Sequence, residues 1–518
     1  MPSLLRSTAV VGAMTLLSRV LGFVRDVVLA RLFGADGTTD AFFLVFKIPN
    51  FLRRLFAEGA FSQAFVPVFT EYKETRDPAA LRDLVSHVTG TLGAILLAVT
   101  FLGVLAAPAL VMLFGPGFAD DPAQFTLASE MLRLTFPYLL FVSLTALAGG
   151  ILNSHDRFAL PAFTPVVLNL CLIGAALWLA PRLSVPVVAL AWGVLAAGIL
   201  QLLIQLPALH RLALLPRPRW GWRHPGVRKI LKLMVPALFG SSVAQINLLL
   251  DTVIASLLAA GSISWLYYSD RLVELPLGLL GIALATVILP HLSRDHATAS
   301  RERFSQTLDW ALRWVFLVGT PAMLGLLLLA GPILATLFYG RAFDGEDLTM
   351  ARMSLMAYAL GLPAFMLVKV LAPGYYARQD TRTPVRIGII AMVANMGLNL
   401  LFVIPWVLTD TPGAHTGLAL ATASSSLLNA ALLYRGLRRD GRLRHTRGWG
   451  AFALRLVLAN GAMATLLVTL TPPLAQWTGW DTPERALHLL GLVAAGALVY
   501  FTTLALAGVR PAHLRPPR

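Results

Sequence analysis

Long apolar runs recur from one end of the chain to the other, and no other feature limits its fold as strongly. Runs of about 18 or more mostly apolar residues are long enough to cross roughly 30 Å of hydrocarbon as helices. Charged residues make up only 13% of the 518 residues, about half the share that a soluble protein carries. The polar surface that would cover a soluble core is therefore missing. The sequence predicts an all-α integral membrane protein.

We predict about fourteen transmembrane helices from these runs. They cover about residues 7–33, 38–70, 85–113, 126–151, 159–180, 186–209, 228–259, 264–290, 305–337, 351–376, 384–406, 415–434, 449–471 and 485–507. The first run is too long for a signal peptide and lacks a small-residue cleavage site, so we expect no cleavable signal. Cys171 is the single cysteine and lies in an apolar run, so we expect neither an intrachain disulfide nor a thiol-ligated metal.

The loops between the predicted helices alternate in charge. One set holds most of the Lys and Arg residues, including those at 217–229 and 435–447, whereas the other holds acidic residues such as Asp120 and Asp344. Because Lys and Arg concentrate in cytoplasmic loops, we place the first set and both termini in the cytoplasm. The formal net charge of +16 then reflects topology and contact with anionic lipids, and we expect no nucleic-acid partner.

Short similarities indicate an internal duplication. The run Asp26-Val-Val-Leu-Ala-Arg-Leu resembles Asp251-Thr-Val-Ile-Ala-Ser-Leu, and two prolines, Pro67 and Pro161, recur as prolines at one common offset. We interpret the chain as two six-helix lobes at 1–215 and 226–440, followed by two extra helices at 449–507. Because each lobe has an even number of helices, the repeats are parallel, and transporters of this kind bind substrate between the lobes.

Charged residues within the first two predicted helices are the sharpest functional signal. They are Arg19, Arg25, Asp26, Asp40, Lys47, Arg53, Arg54 and Glu58. A central Arg or Lys costs roughly 2.5–3.5 kcal/mol on the insertion scale, so these groups should face protein or a water-filled cavity. One polar stripe at helical spacing is formed by Asp40, Lys47, Arg54 and Glu58. Pro49 disturbs the register of this stripe.

Some of these charges also have a simpler interpretation. Lys47 and Arg54 lie where a side chain can reach an interface or an internal partner, and both interpretations stay open. Arg19 lies far from both ends of its helix, which favours a cavity. Asp26 and Glu58 are interpreted as partners that position arginines.

The second lobe repeats this pattern with Asp270, Arg271 and Glu274. Arginines from both lobes in one cavity would suit phosphate, because the guanidinium fork binds paired oxygens and stays charged. The alternative for Arg271 and Glu274 is an interfacial ion pair. Lys369 is also intramembrane, and the sequence identifies no partner for it.

A further polar group combines Asp251 in the seventh helix with Asn395 and Asn399 in the eleventh. These oxygens are a candidate sodium site if the helices meet, and hydrogen bonding between helices is the alternative. The chain has no Walker loop and no catalytic constellation, so we expect a transporter and not an enzyme.

Several motifs resemble a known family. They are Ser18-Arg-Val-Leu-Gly-Phe-Val-Arg-Asp26, Thr39-Asp-Ala-Phe-Phe43, Pro49-Asn-Phe-Leu-Arg-Arg54, Glu58-Gly-Ala-Phe-Ser-Gln-Ala-Phe-Val-Pro67 and Lys369-Val-Leu-Ala-Pro-Gly-Tyr-Tyr-Ala-Arg-Gln-Asp380. They closely resemble the MurJ (MviN) family of lipid II flippases of peptidoglycan synthesis, within the MOP exporter superfamily that includes MATE transporters.

The resemblance implies a V-shaped pair of lobes around a cationic cavity for the diphosphate, sugar and peptide headgroup. By motif position, the family's cavity arginines fall on Arg19, Arg25, Arg53 and Arg271, with Asp40 as an associated acid. The last two helices are expected to form a groove for the lipid tail. Where this family binds sodium, acidic residues of the seventh and eleventh helices contribute. Asp251 fits that pattern, whereas the eleventh helix offers only asparagines.

We therefore predict a multi-pass inner-membrane flippase that moves lipid II to the periplasmic leaflet by alternating access. Lipid II is undecaprenyl-diphosphate-MurNAc-pentapeptide-GlcNAc. Residues expected to support the cavity are Asp26, Asp40, Lys47, Arg54, Glu58, Asp270 and Lys369. The alternatives are a flippase for another polyprenyl-diphosphate oligosaccharide, a MATE-like drug or cation antiporter, and a scaffold for cell-wall synthesis proteins. Sodium is the one candidate coupling ion, and no other cofactor is expected.

Overall fold

The computed structural model describes residues 2–54, 61–278, 288–294 and 300–509. Within these ranges, side chains are described except for those of residues 2–9, 62–63 and 235–248. Every regular element in the described ranges is helical, which confirms the predicted all-α fold. Glu58, one of the predicted cavity residues, lies outside the described residues.

The helices are numbered in chain order. They are α1 Pro2–Phe33, α2 Gly37–Arg53, α3 Ser62–Thr75, α4 Pro78–Leu105, α5 Ala107–Phe114, α6 Pro122–Thr135, α7 Tyr138–Asn153, α8 Ala159–Gly174, α9 Val188–Leu203, α10 Leu206–Arg211, α11 Pro225–Ser256, α12 Ser262–Pro276, α13 Arg301–Leu328, α14 Ala330–Leu337, α15 Gly345–Tyr376, α16 Arg382–Leu408, α17 His415–Arg439, α18 Trp449–Leu470, α19 Leu474–Gly479 and α20 Thr482–Leu506.

Ten helical stretches within the described residues are long and apolar enough to cross a membrane. They are Pro78–Leu105, Pro122–Asn153, Ala159–Arg182, Val188–Arg211, Arg301–Leu328, Gly345–Tyr376, Arg382–Leu408, His415–Arg439, Trp449–Leu470 and Thr482–Leu506. Each coincides with one of the predicted spans. The other four predicted spans fall on α1, α2 with α3, α11 and α12, so the count of fourteen stays a prediction.

Aspartate side chains cap the N-termini of several of these helices. Asp121 accepts hydrogen bonds from the backbone N–H groups of Ala123 and Gln124, and Asp481 accepts one from Glu484. Asp344 forms a reciprocal capping box with Asp347 at the start of α15. Such caps satisfy N–H groups that the first helical turn leaves without a partner. Acidic residues in the predicted outer loops therefore have a local structural role in addition to their place in the charge pattern.

Contacts within the chain define two compact units, Met1–Ser264 and Trp265–Arg518. The border lies in the first turn of α12. In the first unit, α1 packs on α8, α2 on α6, and α9 on both α7 and α8. In the second, α15 packs on α13 and α17, and α16 packs on α17. The predicted lobe limits at 215, 226 and 440 stay a prediction.

The last long helices, α18 and α20, pack on each other and belong to the second unit. A buried carboxylate fixes the segment that leads into them. Asp309 of α13 accepts hydrogen bonds from His445 Nδ1 at 3.0 Å, Thr446 Oγ1 at 2.5 Å and Trp449 Nε1 at 2.6 Å. The guanidinium of Arg313 lies over the Trp449 ring, 5.3 Å from its centre. This polar joint connects α13 to the start of α18.

Candidate functional site

Arg25 and Asp26 form a buried ion pair on α1. The Arg25 Nε and Nη2 atoms donate to Asp26 Oδ1 at 2.9 and 2.6 Å. Nη1 donates to Asn169 Oδ1 of α8 at 3.0 Å, and the Asn169 amide in turn donates to the Ser18 carbonyl. Arg25 is 8% exposed and Asp26 is 2% exposed. A buried charge pair requires such additional hydrogen bonds to offset its desolvation. The Arg25 guanidinium is therefore engaged by internal partners.

Arg19 lies on a different face of α1. It is exposed, as are its neighbours Leu16 and Val20. Among the described residues, no ion pair or hydrogen bond involves the Arg19 side chain. Of the arginines predicted to bind substrate, Arg19 is therefore the one most open to an external anion.

Asp40 holds the start of α12. One carboxylate oxygen, Oδ2, accepts the Gly261 N–H at 2.8 Å. The other, Oδ1, accepts the Ser264 N–H at 2.8 Å and the Ser264 hydroxyl at 2.6 Å. Gly261 has a φ of +96°, which favours glycine at this turn. Because a helix N-terminus carries partial positive charge, the carboxylate stabilises this end of α12. The predicted cavity acid is thus a structural cap.

Lys47 connects α2 to α11. Its Nζ donates to Thr252 Oγ1 at 2.9 Å, and Thr252 is buried directly after Asp251 in the sequence. Lys47 and Asp251 are both half-buried. The first unit therefore brings this predicted cavity cation to the helical turn that carries the predicted sodium ligand.

The end of α2 carries two more cations. Arg53 Nε donates to Asn50 Oδ1 at 2.8 Å, one turn earlier on the same helix. Arg54 follows directly, and both side chains are half-buried. Asn50 orients Arg53, because its amide oxygen fixes one edge of the guanidinium.

In the second unit, Arg271 is paired within α12. Its Nη1 donates to Glu274 Oε2 at 2.5 Å, and its guanidinium lies 5.0 Å from the centre of the Tyr267 ring. The Arg271 and Glu274 side chains are 31% and 48% exposed. A partly exposed pair of this kind is weaker than a buried one. Asp270 is half-buried beside this pair, and Lys369 is exposed on α15.

The predicted sodium ligands are divided between the units. Asp251 is on α11 of the first unit, and Asn395 and Asn399 are fully buried on α16 of the second. Asn395 Oδ1 accepts the hydroxyl of Ser425 on α17 at 3.1 Å. Hydrogen bonding between helices, the alternative interpretation, therefore applies to Asn395, and sodium binding stays a prediction.

Several partners in these contacts were not identified from the sequence, among them Asn169, Thr252 and Tyr267. Asn169 has a recognisable signal, because an amide inside an apolar span usually bonds to another helix. Thr252 and Tyr267 have none, since hydroxyl and aromatic residues are common in such helices. Their roles become visible only when the helices are packed.

Comparison with known proteins decides the family. The family model of the lipid II flippase MurJ matches residues 29–483 of the chain. The chain belongs to the MurJ family. This confirms the resemblance that the motifs indicated.

Close relatives and solved structures agree with MurJ membership. The chain is 52% identical to a probable lipid II flippase MurJ of Vibrio cholerae, over 99% of this chain and 98% of the relative. It is 42% identical to the lipid II flippase MurJ of Burkholderia cenocepacia, over 99% of each. A solved lipid II flippase MurJ in an inward closed conformation matches with a TM-score of 0.78 at 26% identity, over 96% of this chain and 98% of that one.

A multidrug MATE-family transporter of the MOP superfamily has the same fold. It matches with a TM-score of 0.67 at 12% identity, over 84% of this chain and 98% of that one. At this identity the likeness concerns the fold alone. The MurJ-family chain thus shares an architecture with exporters of other substrates, and its specificity must come from particular side chains.

Proposed function

We propose that this protein is a flippase that moves lipid II from the cytoplasmic to the periplasmic leaflet of the inner membrane. The observation that carries the proposal is the family match over residues 29–483, together with 52% identity to a full-length relative of the same family. The protein acts as a transporter, without a catalytic site. Its two termini lie in the cytoplasm, as the charge of the loops favours.

The chemistry of the substrate explains the charged side chains. The diphosphate of lipid II is anionic and must leave water while the headgroup crosses the membrane. Arg19, Arg25, Arg53 and Arg271 offer planar guanidinium groups that bind phosphate oxygens in pairs. We infer that Arg19 meets the diphosphate first, because it is exposed and has no described partner.

Exchange of anions is the mechanism that the contacts support best. In the structure, Asp26 neutralises Arg25, and Glu274 neutralises Arg271. The substrate diphosphate takes the place of Glu274 and competes with Asp26, so neither Arg25 nor Arg271 is left without an anion during the cycle. Release follows when access alternates to the other leaflet and the carboxylates recover their partners.

Sodium is part of the proposal as a candidate coupling ion. Asp251 would supply the charged ligand, and Asn395 and Asn399 would supply amide oxygens. Asn395 would have to share its oxygen with Ser425. An alternative drive is the membrane potential, which acts directly on an anionic substrate.

Complementation tests the proposed function. The full chain is expressed in a bacterium whose own lipid II flippase can be depleted, and growth is followed after depletion. We expect the chain to restore growth and lipid II translocation. If an inserted, stable chain restores neither, but rescues a strain that lacks a flippase for another polyprenyl-diphosphate oligosaccharide, the substrate assignment is wrong.

A further inference from the structure

Asp83, His87 and His224 converge at a place apart from the candidate functional site. Asp83 and His87 are one turn apart near the start of α4, and His224 directly precedes α11. All three belong to the first unit, and one ligand atom from each lies within 4.8 Å of the other two. The two imidazole rings stack with their centres 5.0 Å apart. The proposed flippase mechanism uses none of these residues.

The segment before α11 is fixed along α4 by its backbone. The Arg219 N–H donates to the Ser86 carbonyl at 3.1 Å, and the Gly221 N–H donates to Thr91 Oγ1 at 3.0 Å. A side chain at residue 221 would lie only 2.4 Å from His87 Cδ2, so the close approach requires glycine. His224 is therefore presented to α4 by a well-held segment.

Two of the three distances between their ligand atoms match a metal site. Asp83 Oδ2 lies 3.3 Å from His87 Nδ1 and 3.4 Å from His224 Nε2. In a tetrahedral complex with zinc bonds of about 2.0–2.1 Å, neighbouring ligand atoms are about 3.3–3.4 Å apart. Two imidazoles and one carboxylate also form a donor set that suits zinc. We propose that Asp83, His87 and His224 bind a zinc ion, with water as the fourth ligand.

Zinc binding would change two local hydrogen bonds. His87 Nδ1 lies 2.9 Å from the Asp83 carbonyl, and the Gly226 N–H donates to His224 Nδ1 at 3.1 Å. A zinc bond at His87 Nδ1 removes the proton that this nitrogen donates to the Asp83 carbonyl. A zinc bond at His224 Nε2 places the ring proton on Nδ1, which can then no longer accept the Gly226 N–H. The ion therefore clamps the segment 219–224 to α4 while it releases the cap at the first turn of α11. Metal binding and the start of α11 are coupled.

The zinc content of the purified protein tests the proposed site directly, and the measurement does not require lipid II. The full chain is purified in detergent, treated with chelator, incubated with zinc sulfate and desalted before metal analysis. We expect about one zinc ion per chain and none in the His87→Ala/His224→Ala double variant. His210→Ala is the matched control, because His210 is exposed on α10 and outside the cluster. Cobalt added in place of zinc should give the visible absorption of a tetrahedral complex.

The same metal analysis can also contradict the proposed zinc site. Equal zinc content in the double variant and in the wild type, or no bound zinc in the wild type, would overturn the proposal. If the double variant does not fold, Asp83→Asn replaces it, since asparagine keeps the side-chain shape but loses the charged ligand. Roughly tenfold weaker zinc binding by Asp83→Asn is then expected, and unchanged affinity is the contrary result. Zinc should also raise the melting temperature of the wild type.

Discussion

Asp40, Asp26 and Asp309 show how single buried carboxylates organise this protein. Each accepts hydrogen bonds from named donors: backbone and hydroxyl groups for Asp40, a guanidinium for Asp26, and indole, imidazole and hydroxyl groups for Asp309. All three are at most 2% exposed. Removing a carboxylate leaves its donors without an acceptor, which is costly in a buried site. A variant can therefore separate an effect on substrate binding from an effect on stability only if it leaves no donor or charge of these contacts buried without a partner.

Asp40→Ala should loosen the start of α12. The change removes three hydrogen bonds to a charged acceptor, and we expect a loss of about 3 kcal/mol in stability. Asp40→Asn keeps one acceptor oxygen and should lose less. Hydrogen exchange at Gly261 and Ser264 measures the effect, and exchange in Asp40→Ala as slow as in the wild type would refute the capping role.

Arg25→Ala should destabilise the protein because it leaves Asp26 buried and unpaired. We expect a cost of about 3–5 kcal/mol, seen as a lower melting temperature. The double variant Arg25→Met/Asp26→Leu removes both charges and should recover most of that loss. If the stable double variant still translocates lipid II at the wild-type rate, Arg25 is a structural residue and does not bind the diphosphate.

At the scale of helices, small residues allow close packing in the second unit. Gly361 of α15 is an example, because a Cβ at this position would lie 2.8 Å from the Ala423 Cβ of α17. Contacts between α15 and α17 are extensive, and small residues at such interfaces let membrane helices approach each other. The polar joint around Asp309 adds specificity at a second place, between α13 and α18. Packing and hydrogen bonding thus fix different pairs of helices.

Gly361→Leu should force α15 and α17 apart. We expect a destabilisation of about 1–3 kcal/mol from overpacking. Gly388→Leu on α16 is the control, because an added Cβ there meets nothing within 4 Å. Thermal unfolding in detergent compares the two variants. Equal melting temperatures would show that the close approach at Gly361 is not needed.

Asp309→Ala should release the basic segment between α17 and α18. Limited trypsin digestion should then cleave faster at Arg444 and Arg447, since their segment loses the bonds from His445, Thr446 and Trp449. Asp440→Ala is the control, because Asp440 forms a partly exposed pair with Arg378. Cleavage as slow in Asp309→Ala as in Asp440→Ala would mean that the joint does not hold this segment.

For the whole molecule, the sequence predicted what depends on local pattern. Long apolar runs predicted ten helices that, among the described residues, are long and apolar enough to cross a membrane, because hydrocarbon thickness sets helix length directly. Some of the predicted site residues met partners that no local pattern reveals. Asn169 is 144 residues from Arg25, and Ser264 is 224 residues from Asp40. Such pairs depend on packing. The sequence could name a partner on the same helix, as in Arg271 with Glu274, but it could not name partners on other helices.

Lipid II translocation in cells that express arginine variants tests most directly whether exposed guanidinium groups carry the diphosphate. Arg19→Glu should abolish translocation at normal protein levels, while Arg19→Lys keeps a reduced rate. The swapped pair Arg271→Glu/Glu274→Arg preserves the ion pair but moves the cation, so we expect a stable but impaired protein. Wild-type translocation by Arg19→Glu, at wild-type abundance, would contradict the role of Arg19 as the first contact of the substrate.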